Sequence, residues 1–144
     1  MADSVCIDAS FILARLLPEG HDKGVLRMLS EWEANGLQIV GPPLFYAEVT
    51  SVLRNHVFSN RIPVSLGDDL FNSFLDLDIS VVHDSRLYEI AWQIARKYNL
   101  PRTYDAQYLA AAEICDCQLW TLDQRFLNSF QGKEKRIRTL PNTM

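Results

Sequence analysis

Val5-Cys6-Ile7-Asp8-Ala9-Ser10-Phe11-Ile12-Leu13-Ala14-Arg15-Leu16-Leu17-Pro18 opens the chain with a strand that turns directly into a helix. The apolar run from Val5 to Asp8 has strand length, and a helical pattern follows around Phe11 to Leu17. Pro18 stops it, since proline donates no N–H and clashes with the preceding turn. The same step recurs along the sequence. His21 to Ala34 reads as a helix with Val25, Met28, Leu29 and Trp32 on one face, ended by Asn35-Gly36. Leu37 to Val40 is a predicted strand, and Pro42-Pro43 leads into a helix from about Leu44 to Phe58, proline being well tolerated in a first turn. A helix over Ser65 to Leu75, a strand over Ile79 to His83 and a helix from Asp84-Ser85 to Tyr98 come next. Asn99-Leu100-Pro101 breaks that helix. Thr103 or Tyr104 to Ile114 is the next helix, Gln118 to Leu122 a strand, Gln124 to Phe130 a short helix, and Arg136 to Leu140 a last strand. Short apolar runs alternating with helices predict an α/β protein, with a parallel sheet covered by helices.

The 144 residues fit one domain, 1–144, and 48% hydrophobic content fits a globular core. No apolar stretch approaches the roughly 18 residues of a membrane helix. Met1-Ala2-Asp3-Ser4 does not begin a secretory signal, which needs a basic region and then an apolar core. Three cysteines without framework spacing suggest a reducing, cytoplasmic setting. Cys115 and Cys117 would need two more suitably spaced ligands to hold zinc, and His21, His56 and His83 are scattered, so buried or half-buried thiols are expected. The net charge of -4 argues against a protein that coats nucleic acid through bulk positive charge. It leaves open a site in which acids surround a metal ion. The one basic block, Lys133 to Arg138, reads as a solvated tail segment or a nucleic-acid contact.

Four acids stand beside these core segments. Asp8 ends the first strand, Glu48 lies within an apolar helix, Asp105 opens another helix, and Asp123 follows Leu119-Trp120-Thr121-Leu122. Carboxylates are rarely buried unless paired or bound to metal. Asp8 could cap the first helix, but Ser10 could do so too. Glu48, four residues after Leu44 and four before Val52, falls in the expected buried stripe, where a lone carboxylate costs several kcal/mol. An arginine such as Arg54 would relieve that cost, and so would a metal. Asp105 complements a helix dipole, and Asp123 fits an N-cap. Asp68, Asp69, Asp76 and Asp78 are expected to face water, Asp84 to cap a helix and Asp116 to sit in a turn.

Asp8 and Asp123 both lie at strand carboxyl ends, where open α/β sheets bind ligands. Three or four carboxylates can hold one Mg²⁺, or two ions about 3.5–4 Å apart. Phosphodiester hydrolysis is a reaction that such ions assist.

Val5-Cys6-Ile7-Asp8-Ala9-Ser10 resembles the opening of PIN-domain nucleases, and Pro42-Pro43-Leu44-Phe45-Tyr46-Ala47-Glu48-Val49 resembles the segment with their helical Glu. Tyr104-Asp105-Ala106-Gln107-Tyr108-Leu109-Ala110-Ala111-Ala112-Glu113 and Trp120-Thr121-Leu122-Asp123-Gln124-Arg125-Phe126 resemble those with the third and fourth acids. The size is similar to the stand-alone PIN toxins of VapBC-type toxin–antitoxin pairs. The resemblance implies a three-layer α/β/α sandwich with a central, mainly parallel sheet. It also implies cleavage of RNA with Mg²⁺ or Mn²⁺. Asp8, Asp105 and Asp123 would hold the metal, and Glu48 would complete the cluster and help position the attacking water. Ser10 and Thr121 match supporting hydroxyls; Arg15, Arg54, Arg102 and Arg125 are candidates for RNA phosphates or ordinary surface arginines. A homodimer and a small antitoxin are further implications.

Other readings compete. A haloacid-dehalogenase-like phosphatase would show an Asp two residues after the first, where this chain has Ser10. A response-regulator receiver would show adjacent acids after the first strand. A housekeeping RNA-processing nuclease of the same family, or a non-catalytic module of that fold binding RNA or protein, would keep the same pattern.

Overall fold

The computed structural model describes residues 3–140. Five parallel strands form the central sheet in the order β3-β2-β1-β4-β5. These are β1 (Ser4–Ile7), β2 (Gln38–Gly41), β3 (Ile79–Val81), β4 (Leu119–Trp120) and β5 (Ile137–Arg138). Cys6 stands opposite Val40 on one side and Leu119 on the other, and all three are buried. Strands covered on both faces are expected to be apolar in this way.

The seven helices among the described residues are α1 (Ala9–Leu16), α2 (Lys23–Ala34), α3 (Pro43–Phe58), α4 (Val64–Leu75), α5 (Leu87–Lys97), α6 (Tyr104–Cys115) and α7 (Gln124–Ser129). From β1 the chain steps outward to β2 and then β3, and next crosses back over β1 to reach β4 and β5. Right-handed crossovers therefore put α1–α4 on one face and α5–α7 on the other. The aromatic core divides accordingly. Phe11, Trp32 and Trp120 cluster against the first face, with Phe11 and Trp32 stacked at 5.4 Å. Tyr98, Tyr108, Phe126 and Phe130 join α5, α6 and α7 on the second. The result is the expected three-layer sandwich. Its strand order reverses direction at β1 and β4, which opens a crevice beyond their carboxyl ends.

Each expected strand and helix is present, with shifted ends. α5 starts at Leu87, after the expected Asp84-Ser85. Asp84 does not cap it; its carboxylate accepts the Arg86 backbone N–H and pairs with the Arg86 guanidinium in the preceding turn. β3 ends at Val81 and β4 at Trp120, both short of the predicted strands. α3 and α4 pack closely at Gly67, where a Cβ would lie 2.3 Å from Val57 Cγ2. Cys6 and Cys117 are buried, Cys115 is half-buried, and all three are free thiols. The basic block enters β5 from the amino end of the sheet. There Glu134 accepts the Tyr98 hydroxyl, and Arg136 pairs with Asp116 at 3.0 Å.

Candidate active site

The sequence places Asp8 where β1 ends and α1 begins, and both neighbours fix its side chain. Its extended backbone makes it the N-cap of α1. Oδ1 accepts the Phe11 N–H at 3.2 Å and the Ser10 hydroxyl at 2.6 Å, and Oδ2 accepts the Thr121 hydroxyl at 2.5 Å. Ser10, an alternative cap in the sequence, instead supports the cap from within the helix. Capping and site-building thus fall to one carboxylate. Asp8 is only 5% exposed. Burial pushes its pKa up to about 6, against the opposing pull of Ser10, Thr121 and the Phe11 N–H, and the charge of Asp123 pushes the same way.

Ser10 and Thr121 do matching work. Ser10 Oγ accepts the Leu122 N–H at 3.0 Å, and Thr121 Oγ1 accepts the Asp123 N–H at 3.0 Å. Each then donates its hydrogen to a different oxygen of Asp8. An ionised carboxylate offers about four acceptor positions. Three are in use, and the remaining one belongs to Oδ2.

Glu48 lies at the margin of the buried stripe of α3. The stripe itself is Phe45, Val49 and Leu53, while Glu48 is half-buried beside it, as are Leu44 and Val52. The Tyr108 hydroxyl donates to Glu48 Oε1 at 2.9 Å. Burial raises the carboxyl pKa of Glu48, Tyr108 lowers it, and the charges of Asp105 and Asp123 raise it further. Arg54 does not relieve the charge; its guanidinium lies over the Phe58 ring, 6.0 Å from the centroid.

Asp105 is half-buried in the first turn of α6. Burial raises its pKa, the charge of Asp123 adds to this, and Arg125 opposes both. Asp123 caps α7 by accepting the Arg125 N–H at 2.9 Å. Here too, cap and cluster member are one residue.

The charge of Asp123 reaches Asp8, Glu48 and Asp105, and that of Asp105 reaches Glu48, so the four acids are neighbours beyond the carboxyl ends of β1 and β4. The ion pairs among the described residues are Arg86–Asp84, Lys97–Glu134 and Arg136–Asp116, and none includes these four. Among the described residues, no three His, Cys, Asp or Glu side chains are gathered closely enough to enclose an ion as they stand. The donor set nonetheless fits a hard divalent cation: oxygen ligands, mutual repulsion without a paired cation, and a free acceptor position on a rigidly held Asp8.

The four arginines separate. Arg125 is exposed, and its charge reaches Asp105. Arg102 is exposed just before α6, Arg15 lies in the last turn of α1, well away from Asp8, and Arg54 lines a groove between α3 and α4. The expected solvent exposure of Asp68, Asp69, Asp76 and Asp78 holds, and Asp116 is the left-handed C-cap of α6. The sequence reading missed Tyr108. A tyrosine in a helix face of alanines and leucine is a usable signal, because a buried phenol needs a hydrogen-bond partner.

A parallel α/β sandwich with four acids beyond its switch point holds them where open α/β sheets bind ligands. The PIN domain family model matches residues 5–129, and the chain belongs to that family. It is 30% identical over 129 residues to the VapC ribonuclease Mb0985 of Mycobacterium bovis, spanning 90% of this chain and 93% of the relative. It is 32% identical over 129 residues to ribonuclease VapC1 of Mycobacterium tuberculosis, spanning 85% and 88%. The crystal structure of PAE2754 from Pyrobaculum aerophilum shares the fold with a TM-score of 0.67, at 21% identity over 96% of this chain and 90% of that one.

Proposed function

We propose that this chain is a metal-dependent endoribonuclease of the VapC kind, the toxin of a toxin–antitoxin pair, acting as a single domain over residues 1–144. The observation that carries the reading is the set of four neighbouring acids, in which the charge of Asp123 raises the pKa of the other three and none is paired with a cation among the described residues. The VapC ribonucleases it resembles supply the substrate class. Asp8, Asp105 and Asp123 would hold Mg²⁺ or Mn²⁺, with Glu48 completing the cluster. A divalent ion held there supplies Lewis-acid stabilisation of the charge that builds on phosphate oxygens.

The remaining work belongs to the side chains. Ser10 and Thr121 hold Asp8 in one rotamer. Tyr108 holds Glu48 by one oxygen, leaving the other to orient the attacking water. Arg125, beside Asp105, meets a substrate phosphate. Arg15, Arg54 and Arg102 are further phosphate contacts only if the RNA extends beyond the cluster. No helix among the described residues is long and apolar enough to cross a membrane; we place the protein in the cytoplasm, with its RNA. Exposed apolar side chains, Phe58, Val64, Phe71 and Leu75 on α3 and α4 and Tyr88 and Trp92 on α5, support protein partners, namely a second copy and a cognate antitoxin.

The test is incubation of the purified chain with total RNA, with Mg²⁺ or Mn²⁺ and with EDTA, beside Asp8→Asn. Discrete metal-dependent fragments that vanish in the variant support the reading. A folded, metal-binding protein that cuts nothing points to the non-catalytic module, and cutting that survives Asp8→Asn refutes the site.

A further inference from the structure

The acid cluster explains how a phosphate could be attacked but not how a nucleotide is gripped. Tyr104 stands at the place where a grip is needed. It precedes Asp105 directly and is 55% exposed, although tyrosine has a large apolar ring. Tyr104 and Tyr108 are four residues apart on α6, so they lie one above the other on the same helix face. The Tyr108 hydroxyl reaches Glu48 on α3, which shows that this face looks across the mouth of the cluster. Tyr104 occupies the same face one turn nearer the open end. Arg125 approaches the cluster through Asp105 and marks a second contact at its rim. The other large exposed aromatics, Phe58, Phe71, Tyr88 and Trp92, belong to α3, α4 and α5 and adjoin none of the four acids in sequence.

We infer that Tyr104 is a stacking platform for a base next to the scissile phosphate, a role that requires that base to be unpaired. This rests on the ribonuclease reading above. An exposed aromatic face accepts any base, and Arg125 accepts the backbone, so the pair grips a strand without reading its sequence. A base inside a duplex is covered on both faces by its neighbours and offers no face to Tyr104.

The test uses the full chain in two arms. In the binding arm, Asp8→Asn protein in Mg²⁺ is titrated into a labelled pool of random single-stranded RNA of about 12 nucleotides. Adding Tyr104→Ala should weaken binding about tenfold, and Tyr104→Phe, which keeps the ring, should recover it. In the cleavage arm, Tyr104→Ala should lose activity mainly through KM, and the wild type should spare a cleaved strand once it is annealed to its complement. Thermal unfolding of each variant checks that the fold is intact. Equal RNA affinity for Tyr104→Ala, or equal cleavage of duplex and single strand, overturns the inference and leaves the ribonuclease reading standing. Absence of both binding and cleavage in the wild type overturns both. Because the binding arm needs no turnover, the two failures are distinguishable.

Discussion

Thr121 Oγ1 donates to Asp8 Oδ2 at 2.5 Å, joining two residues 113 positions apart in the chain. The same oxygen accepts the Asp123 N–H, so one buried hydroxyl links β4, the first acid and the fourth. Thr121→Val keeps the shape but removes this link and leaves the Asp123 N–H without its partner. It should cost about 1–3 kcal/mol of stability, read from urea unfolding, and should lower cleavage as Asp8 gains freedom. A variant as stable and active as wild type would show that the link is incidental.

The pH dependence of the metal-free protein has a definite sign. Asp8 titrates near 6 in the fold and near 3.8 when unfolded. Between those values the native state holds more protons, so stability is full below about pH 4 and declines as pH rises through 6. A shift of this size corresponds to about 3 kcal/mol. Glu48 and Asp105 push the same way. Denaturant midpoints in EDTA should fall from pH 5 to pH 7.5, and Mg²⁺ should restore them at the higher pH. A flat profile, or a rising one, would count against buried, mutually repelling acids.

Asp8→Asn removes the charge and keeps the size. The metal-free variant should therefore be at least as stable as wild type at pH 7.5, while its cleavage falls about a hundredfold or more. Thermal unfolding with and without Mg²⁺ separates the effects: the metal-induced gain in Tm should shrink. An unfolded variant would mean that the helix cap outweighs the buried charge.

Tyr108→Phe deletes the hydroxyl that holds Glu48 and leaves a ring of nearly the same volume. We expect about a ten- to hundredfold loss of metal affinity or activity, as when a residue supporting a ligand is removed. Mg²⁺ titrations followed by cleavage would show the curve moving to higher metal concentration. An unmoved curve would remove Tyr108 from the site.

Gly67→Ala tests the α3–α4 contact. Alanine gains about 1 kcal/mol of helix propensity, yet its Cβ would fall 2.3 Å from Val57 Cγ2. Overpacking of this kind costs about 1–3 kcal/mol, so a net loss is expected. Val57→Ala should suppress it in a double-mutant cycle.

Much of this was legible because strands and acids coincide. Apolar runs such as Val5 to Ile7 could be strands in only a few ways, and their acids had no evident reason to be buried. The ends were less legible. Asp84 looks like a cap, but a carboxylate followed two residues later by arginine can close its own turn, and it does. Capping does not exclude a second role for Asp8 or Asp123, because each cap geometry leaves acceptor positions unused. Glu48 sits at the stripe's edge because helical spacing alone does not fix which neighbouring row faces the core. Tyr108 escaped notice among alanines because its partner, Glu48, lies 60 positions away.

The adjacency of β1 and β4 also sets a timetable. A ribosome delivers Asp8 113 residues before Thr121, and a parallel pair so distant in sequence closes late. Through that interval the nascent chain carries a first acid with no hydroxyl from Thr121 and no fourth acid beside it. The four acids thus come together only once the segment carrying Thr121 and Asp123 has emerged.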